Sequence, residues 1–246
     1  MSLSRHQNSW MAESDLGTNF PPYLPTFQFV DKFINADHEM LIAKRNGDLI
    51  NLDIPGWLRP QDALKIYEMA YFSSGEVLEL GAYHGLSTSI IARALRNSGN
   101  GRSLISLELD APAALEAQRH TAPWSDIVQI VVGDARESCR HLIEQGRRFG
   151  FAFVDHSHTY GLVHAACLDL KSLLVPGGFA LFHDYNDERN GADPDYGVWQ
   201  AVRDGFSDGS FEFWGVYGCT GLWRKLSLWR KLMSWPRHRV NLRGSR

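Results

Sequence analysis

The 246-residue chain is poor in cysteine, with only Cys139, Cys167 and Cys219. They are odd in number and far apart, which gives no disulfide framework, and the lack of a C-x-x-C pair removes the usual zinc-finger signature. No apolar run approaches the roughly 20 residues that span a bilayer. The N-terminus lacks the apolar core of a signal peptide. These absences lead us to expect a cytoplasmic protein in a reducing setting. A charge excess is lacking too: 25 Lys and Arg stand against 28 Asp and Glu, a net of -3. Nothing in that balance points to nucleic acid. No repeat of solenoid length is present.

The charge that is there is unevenly placed. Eight cations and no acid follow Glu212. An acidic body therefore carries a basic tail. In "LWRKLSLWRKLMSW", Leu222, Leu226, Trp229 and Met233 fall on one helical stripe, which suits an interfacial helix for an anionic membrane or a partner. The competing reading lets residues 222–225 finish a strand and leaves a solvated tail, and the strand pattern favours it.

At 44% hydrophobic residues, the chain suits one domain with a sizeable core. Residues 1–52 read as an N-terminal arm and cap segment, extended around "FPPYLPTF", with an Asn-Gly turn in "RNGDL". Residues 53–226 read as the main domain and residues 227–246 as the tail. "PQDALKIYEMAYF" has a proline where a helix begins, with Leu64, Tyr67 and Tyr71 at helical spacing. From "EVLEL" onward, apolar strands alternate with amphipathic helices. That pattern predicts an α/β fold with a doubly wound, mostly parallel sheet of seven strands. Two successive strands around Gly218 close it with an antiparallel edge hairpin. Trp199 and Phe206, at helical spacing, are expected in the core.

In "VLELGAYHGLSTSIIARAL" a strand, a glycine turn and a helix follow one another, but the dinucleotide spelling G-x-G-x-x-G is missing. The spelling is E-x-G-x-x-x-G instead, with Glu79 ahead of Gly81 and Gly85. A pyrophosphate wants helix amides without a nearby anion. A carboxylate there suits a cationic ligand such as S-adenosylmethionine (SAM), and the chain's glycine turn permits close approach. The bland alternative is a tight turn with a surface glutamate. Glu108, at the tip of the next strand, suits a ribose diol, or is a solvated acid, a part that Asp110 fits better. Asp134, before Ala135, suits an adenine amino group or a helix N-cap. Tyr83 is placed to touch the methionine portion. The candidate cofactor-binding set is Glu79, Gly81, Tyr83, Gly85, Ser87, Glu108, Asp134 and Ala135.

From about residue 75 to 225 the chain resembles class I SAM-dependent methyltransferases. "FVDHSHTYGLVHAACLDLKSLLVPGGFALFHDYND" is similar to the small bacterial methyltransferases that include macrocin-type sugar O-methyltransferases and cephalosporin hydroxylase-like proteins. The matching pattern is Asp155, His158-Thr159-Tyr160, Pro176-Gly177-Gly178 and His183-Asp184. The resemblance implies a Rossmann-like methyltransferase fold and SAM as cofactor. It does not name the substrate; the leading expectation is O-methylation of a small hydroxylated acceptor, a sugar or a glycosylated metabolite, and a homo-oligomer stays open.

Asp155 and Asp184 end neighbouring strands, so both carboxylates are expected in one crevice. Paired acids suit a hard cation such as Mg²⁺. Metal-dependent relatives carry Glu-Asp or Asp-Asn at the second strand end, and His183-Asp184-Tyr185 departs from that pattern. His156, His158 and His183 crowd the same region as general bases or as structural groups. The catalytic candidates are His158, Asp155 and His183, with His158 the preferred base, and the metal candidates are Asp155 and Asp184. Tyr160 either lines the crevice or packs its loop. Three alternatives remain: a SAM-binding module without turnover, a non-haem iron hydroxylase built on two histidines and an aspartate, and a nicotinamide dehydrogenase, which Glu79 disfavours.

Overall fold

A computed structural model describes residues 23–227. The chain enters along residues 23–33 and forms α1 (Ala36–Ala43), capped by the Asn35 side chain on the His38 amide. A two-stranded ladder follows, β1 (Arg45–Asn46) with β2 (Leu49–Ile50), turning at Asn46-Gly47 as the sequence predicts. Leu41 and Ile50 pack into the same core as the sheet, so this cap segment is part of the packed body.

The helix α2 (Pro60–Tyr71) is buried on every side, with only Tyr71 partly exposed. The Asp62 carboxylate closes its first turn by accepting from the Arg59 amide at 2.8 Å. The burial takes in Lys65 and Glu68, paired at 2.6 Å with both side chains sealed from solvent. Residues 23–26 are the strap that seals them: Lys65 Nζ donates to Leu24 O and to the Thr26 hydroxyl, and the Tyr23 hydroxyl donates to Glu68.

The main sheet contains β3 (Glu76–Leu80), β4 (Leu104–Glu108), β5 (Val128–Val132), β6 (Phe149–Val154), β7 (Leu174–Phe182), β8 (Phe211–Tyr217) and β9 (Thr220–Lys225). Their order is β5-β4-β3-β6-β7-β9-β8. The first five run parallel, and β9 returns antiparallel between β7 and the edge strand β8. This is the predicted doubly wound sheet with its closing hairpin. The helices α3 (Leu86–Ser98), α4 (Ala111–His120), α5 (Ala135–Glu144), α6 (Tyr160–Leu173) and α7 (Val198–Gly205) make the crossovers.

Strand alternation divides the core in two. Phe151, Phe153, Phe179 and Leu181 point to the α1–α3 face, while Ala152, Val154, Ala180 and Phe182 point to the α5–α7 face. Phe206 is buried there and Trp199 packs against it, as expected. Pro176-Gly177-Gly178 lies inside β7. Leu174 still pairs with Phe149, and the register slips before Phe151 meets Phe179, so the three residues are a bulge in a longer strand. Residues 222–225 belong to β9, and the rest of the proposed interfacial stripe lies outside the described residues apart from Leu226. Among the described residues no helix is long and apolar enough to cross a membrane.

Candidate functional site

Strand order turns back at β3, with β4 and β5 on one side and β6 and β7 on the other. Ligands in such sheets sit at the carboxyl ends of the strands beside this reversal. A cavity of about 730 Å³ lies there. Its size falls within the usual range for small-ligand sites, about 300–1,000 Å³.

Gly81, Tyr83, Ser87, Glu108, Asp134 and Ala135 line the cavity. Glu108 is well held. Its Oε2 accepts from the Tyr83 amide at 2.6 Å and its Oε1 from the Asp110 amide at 2.9 Å, which leaves lone pairs on both oxygens. Asp110 itself is the N-cap of α4. Asp134 caps α5, with Oδ1 taking the amides of Arg136 and Glu137, and its exposed side chain also reaches the cavity wall. The two readings of Asp134 are therefore compatible.

Glu79 requires a correction. It is fully buried, does not line the cavity, and accepts hydroxyl bonds from Ser87, Thr88 and Ser106. It does not face a cationic ligand directly. Burial pushes its carboxyl up to about 7. It ties the end of β3 to the first turn of α3 and to β4. Ser87 consequently serves Glu79 with its hydroxyl. Gly85 is off the cavity as well. It starts α3 with a left-handed backbone, φ 93°, and abuts Ala117.

The chain's own packing dictates the glycine at 81. Its φ is 96°, and a Cβ there would sit 2.5 Å from the Asp155 carbonyl oxygen. The turn thus brings β3 against the loop after β6. Tyr83 and Asp184 also hold positive φ, 46° and 52°, without being glycine. Such strain of non-glycine residues concentrates at functional sites.

The far end of the cavity gathers the residues that follow β6 and β7. His158 Nε2 lies 3.0 Å from Asp184 Oδ2 and 3.9 Å from Asp155 Oδ1. The His158 ring stacks on Tyr196 at 4.7 Å, and the Tyr196 hydroxyl donates to the same Asp184 oxygen. Arg189 closes the group, bidentate on Asp187 at 2.8 and 2.9 Å and 3.6 Å from Asp184. Burial works against the charge on Asp184, but His158, His183 and Tyr196 hold its carboxyl well below the usual range.

His183 is buried beneath this group. Its Nδ1 lies 3.2 Å from Asp155 Oδ1 and 3.4 Å from Asp184 Oδ1, and its Nε2 lies 3.2 Å from Cys219 Sγ. Burial disfavours its charge, yet Asp155 and Cys219 hold the imidazole well above its ordinary value. His156 also lines the cavity, where burial drives its ring down to about 4. Tyr160 does not line the cavity. Its hydroxyl donates to Asp204 at 3.0 Å and its ring stacks on His164.

The donors already facing Asp155 and Asp184 bear on Mg²⁺. His158, His183, Arg189 and Tyr196 supply positive charge or protons to the carboxylates, and the donor set contributes nitrogen more than oxygen. A hard cation prefers an oxygen cage. The two acids as arranged do not form one without displacement of His158 and Tyr196.

Sequence reasoning missed the wall supplied by the segment before α2. Trp57 is 67% exposed and stacks on Tyr83 at 5.8 Å, with Gly56, Leu58 and Arg59 beside it. It also missed Arg189 and Cys219. A tryptophan set between glycine and proline in "IPGWLRP" was the available signal.

Residues 78–185 match the family described as a methyltransferase domain, Methyltransf_24. No curated protein sequence matches the chain. Among solved structures, the chain is similar to the O-methyltransferase TomG of Streptomyces achromogenes, involved in tomaymycin synthesis and solved with SAM. The identity is 21% and the TM-score 0.59, over 81% of this chain and 93% of that one. An O-methyltransferase from Bacillus cereus, in complex with SAH, aligns at 15% identity and TM-score 0.58, over 89% of this chain and 100% of that one. A putative caffeoyl-CoA O-methyltransferase from Staphylococcus aureus aligns at 14% and 0.57, over 78% and 93%.

Proposed function

We propose that the chain, whose residues 78–185 match a methyltransferase domain and whose fold is that of the O-methyltransferases it resembles, methylates a hydroxyl of a small acceptor, a sugar or a glycosylated metabolite, using SAM. One observation carries the reading: a single cavity joins Glu108 and Asp134 at one end to the His158–Asp184 pair at the other. SAM, when bound, supplies a methyl on cationic sulfur, which an acceptor oxygen takes in line as S-adenosylhomocysteine leaves.

The chain's residues divide the remaining work. Glu108 accepts ribose hydroxyls on the lone pairs that the Tyr83 and Asp110 amides leave free. Asp134 accepts from the adenine amino group, its N-cap bonds being made by Oδ1. Glu79 acts from beneath by fixing the turn. His158 is the general base: with Nε2–H held by Asp184, Nδ1 takes the acceptor's proton. Asp184 sets the tautomer and stabilises the imidazolium, and Tyr196 seats the ring. Holding the acceptor oxygen in line contributes much of the rate.

A second reading gives Asp155 and Asp184 to one shared Mg²⁺, since both acids line the same cavity, and the ion would have to displace His158 and Tyr196 from Asp184. Incubation with methyl-labelled SAM and a panel of hydroxylated sugars separates the readings. In the base reading, His158→Ala lowers turnover by roughly 100-fold or more, SAM affinity stays within a few-fold, and chelation changes nothing. Activity lost on chelation and restored by Mg²⁺ assigns the second reading. Full activity in His158→Ala removes the base, and SAM binding without labelled product from any acceptor makes the chain a binding module.

A further inference from the structure

Three buried side chains that the methyl-transfer scheme leaves unused meet at the cavity floor. Asp62 comes from the first turn of α2, His183 from the residue after β7, and Cys219 from the turn between β8 and β9. Their polar atoms are close: Cys219 Sγ is 3.2 Å from His183 Nε2 and 3.4 Å from Asp62 Oδ2, and Nε2 is 4.0 Å from Oδ2. We propose that Asp62, His183 and Cys219 form a binding site for a borderline-soft divalent cation of the Zn²⁺ class, with its fourth position open to the cavity.

Donor type is the first argument. Thiolate and imidazole select zinc-like ions and disfavour Mg²⁺ and Ca²⁺. Spacing is the second. Bonds of about 2.3 Å to sulfur and about 2.0–2.2 Å to nitrogen and oxygen place tetrahedral ligand atoms roughly 3.3–3.6 Å apart. The two edges to sulfur lie close to that range, and the His183–Asp62 edge closes by about half an ångström.

The surrounding shell is the third argument. A metal-ligating histidine almost always offers its other ring nitrogen to a carboxylate. Here Nδ1 of His183 lies 3.2 Å from Asp155 Oδ1 and 3.4 Å from Asp184 Oδ1, close to both carboxylates but aligned for a hydrogen bond with neither until the ring adjusts. The Asp62 carboxylate is held by the amides of Arg59 and Cys219, at 2.8 and 2.7 Å, and each oxygen keeps a lone pair. The turn carrying Cys219 depends on Gly218, where a Cβ would sit 2.2 Å from Asp62 Oδ1. Access is the fourth argument, since His183 and Cys219 both line the cavity. Binding exchanges two protons for the ion: the Cys219 sulfur–hydrogen bond and the His183 Nε2–hydrogen bond break, sulfur–metal and nitrogen–metal bonds form on the freed electron pairs, and both protons leave to solvent.

The site does not depend on the methyl-transfer reading, and its test reads metal rather than turnover. The full chain is stripped with chelator, then titrated with Zn²⁺ and, separately, with Co²⁺. The expected result is one ion retained per chain and a thiolate-to-cobalt absorption band. Asp155→Asn, which touches only the outer shell, weakens zinc binding by roughly 10- to 100-fold. Cys219→Ser weakens it further and abolishes the band. Asp184→Asn retains one ion, which separates this site from a carboxylate-held Mg²⁺. Cys219→Ser is near-isosteric, and an unchanged melting temperature shows that its loss of metal is not a loss of fold. No retained ion and no band in the full chain overturns the proposal, and so does unchanged zinc affinity in Cys219→Ser.

Discussion

At the scale of single residues, Glu79 shows how burial changes what a motif acid does. The spelling E-x-G draws attention to a charge, but three hydroxyls enclose the carboxylate and burial lifts it from 4.5 to about 7. Between those values the folded chain keeps a proton that the unfolded chain has released. Its contribution is therefore complete below pH about 4.5 and is lost as the pH rises through about 7, worth roughly 3 kcal/mol at most. Glu79→Gln keeps the shape and removes the titration. Melting curves from pH 5 to 8 should show the variant's stability falling less with pH than the native protein's, and parallel curves would remove Glu79 from the account. Asp184 shows a second local constraint. With φ at 52°, the position suits Asp or Asn better than a bulky or β-branched residue, so Asp184→Asn tests the carboxylate's charge without adding backbone strain.

At the scale of elements, α2 is the helix whose environment its sequence hides. Leu64, Tyr67 and Tyr71 read as one apolar stripe, yet the strap of residues 23–26 buries the Lys65–Glu68 side as well. Burial drives the Lys65 ammonium well down and lifts Glu68 to about 8, so each depends on the other and on Thr26. Removing one partner leaves an uncompensated buried group and costs about 3–5 kcal/mol, whereas an apolar pair of similar volume is often tolerated. Lys65→Met alone should lower the urea midpoint strongly, while Lys65→Met with Glu68→Leu should recover most of it. Equal losses in the single and double variants would mean that the strap, not the ion pair, supplies the stability.

At the scale of the whole molecule, the sheet reversal places cofactor and acceptor functions at opposite ends of one cavity. Saturating SAM should raise the melting temperature by mass action. Glu108→Ala should abolish that rise, while Asp155→Asn should keep it, and a rise surviving in Glu108→Ala would move the ribose site elsewhere. The strand–helix alternation, the parallel order and the closing hairpin were legible in the sequence because each depends on local apolar period and turn chemistry. In the usual strand order of such sheets the ends of β6 and β7 are neighbours, which puts Asp155 and Asp184 in one crevice. The sealing of Glu79 was not legible, because it depends on which way three hydroxyls from α3 and β4 point. Nor were the Trp57 wall and the Asp62–His183–Cys219 cluster. Asp62 and Cys219 are 157 positions apart, and no periodicity links residues so distant. Local sequence determined the elements and their order, and only tertiary packing, by folding the last hairpin onto the first turn of α2, decided which buried groups meet.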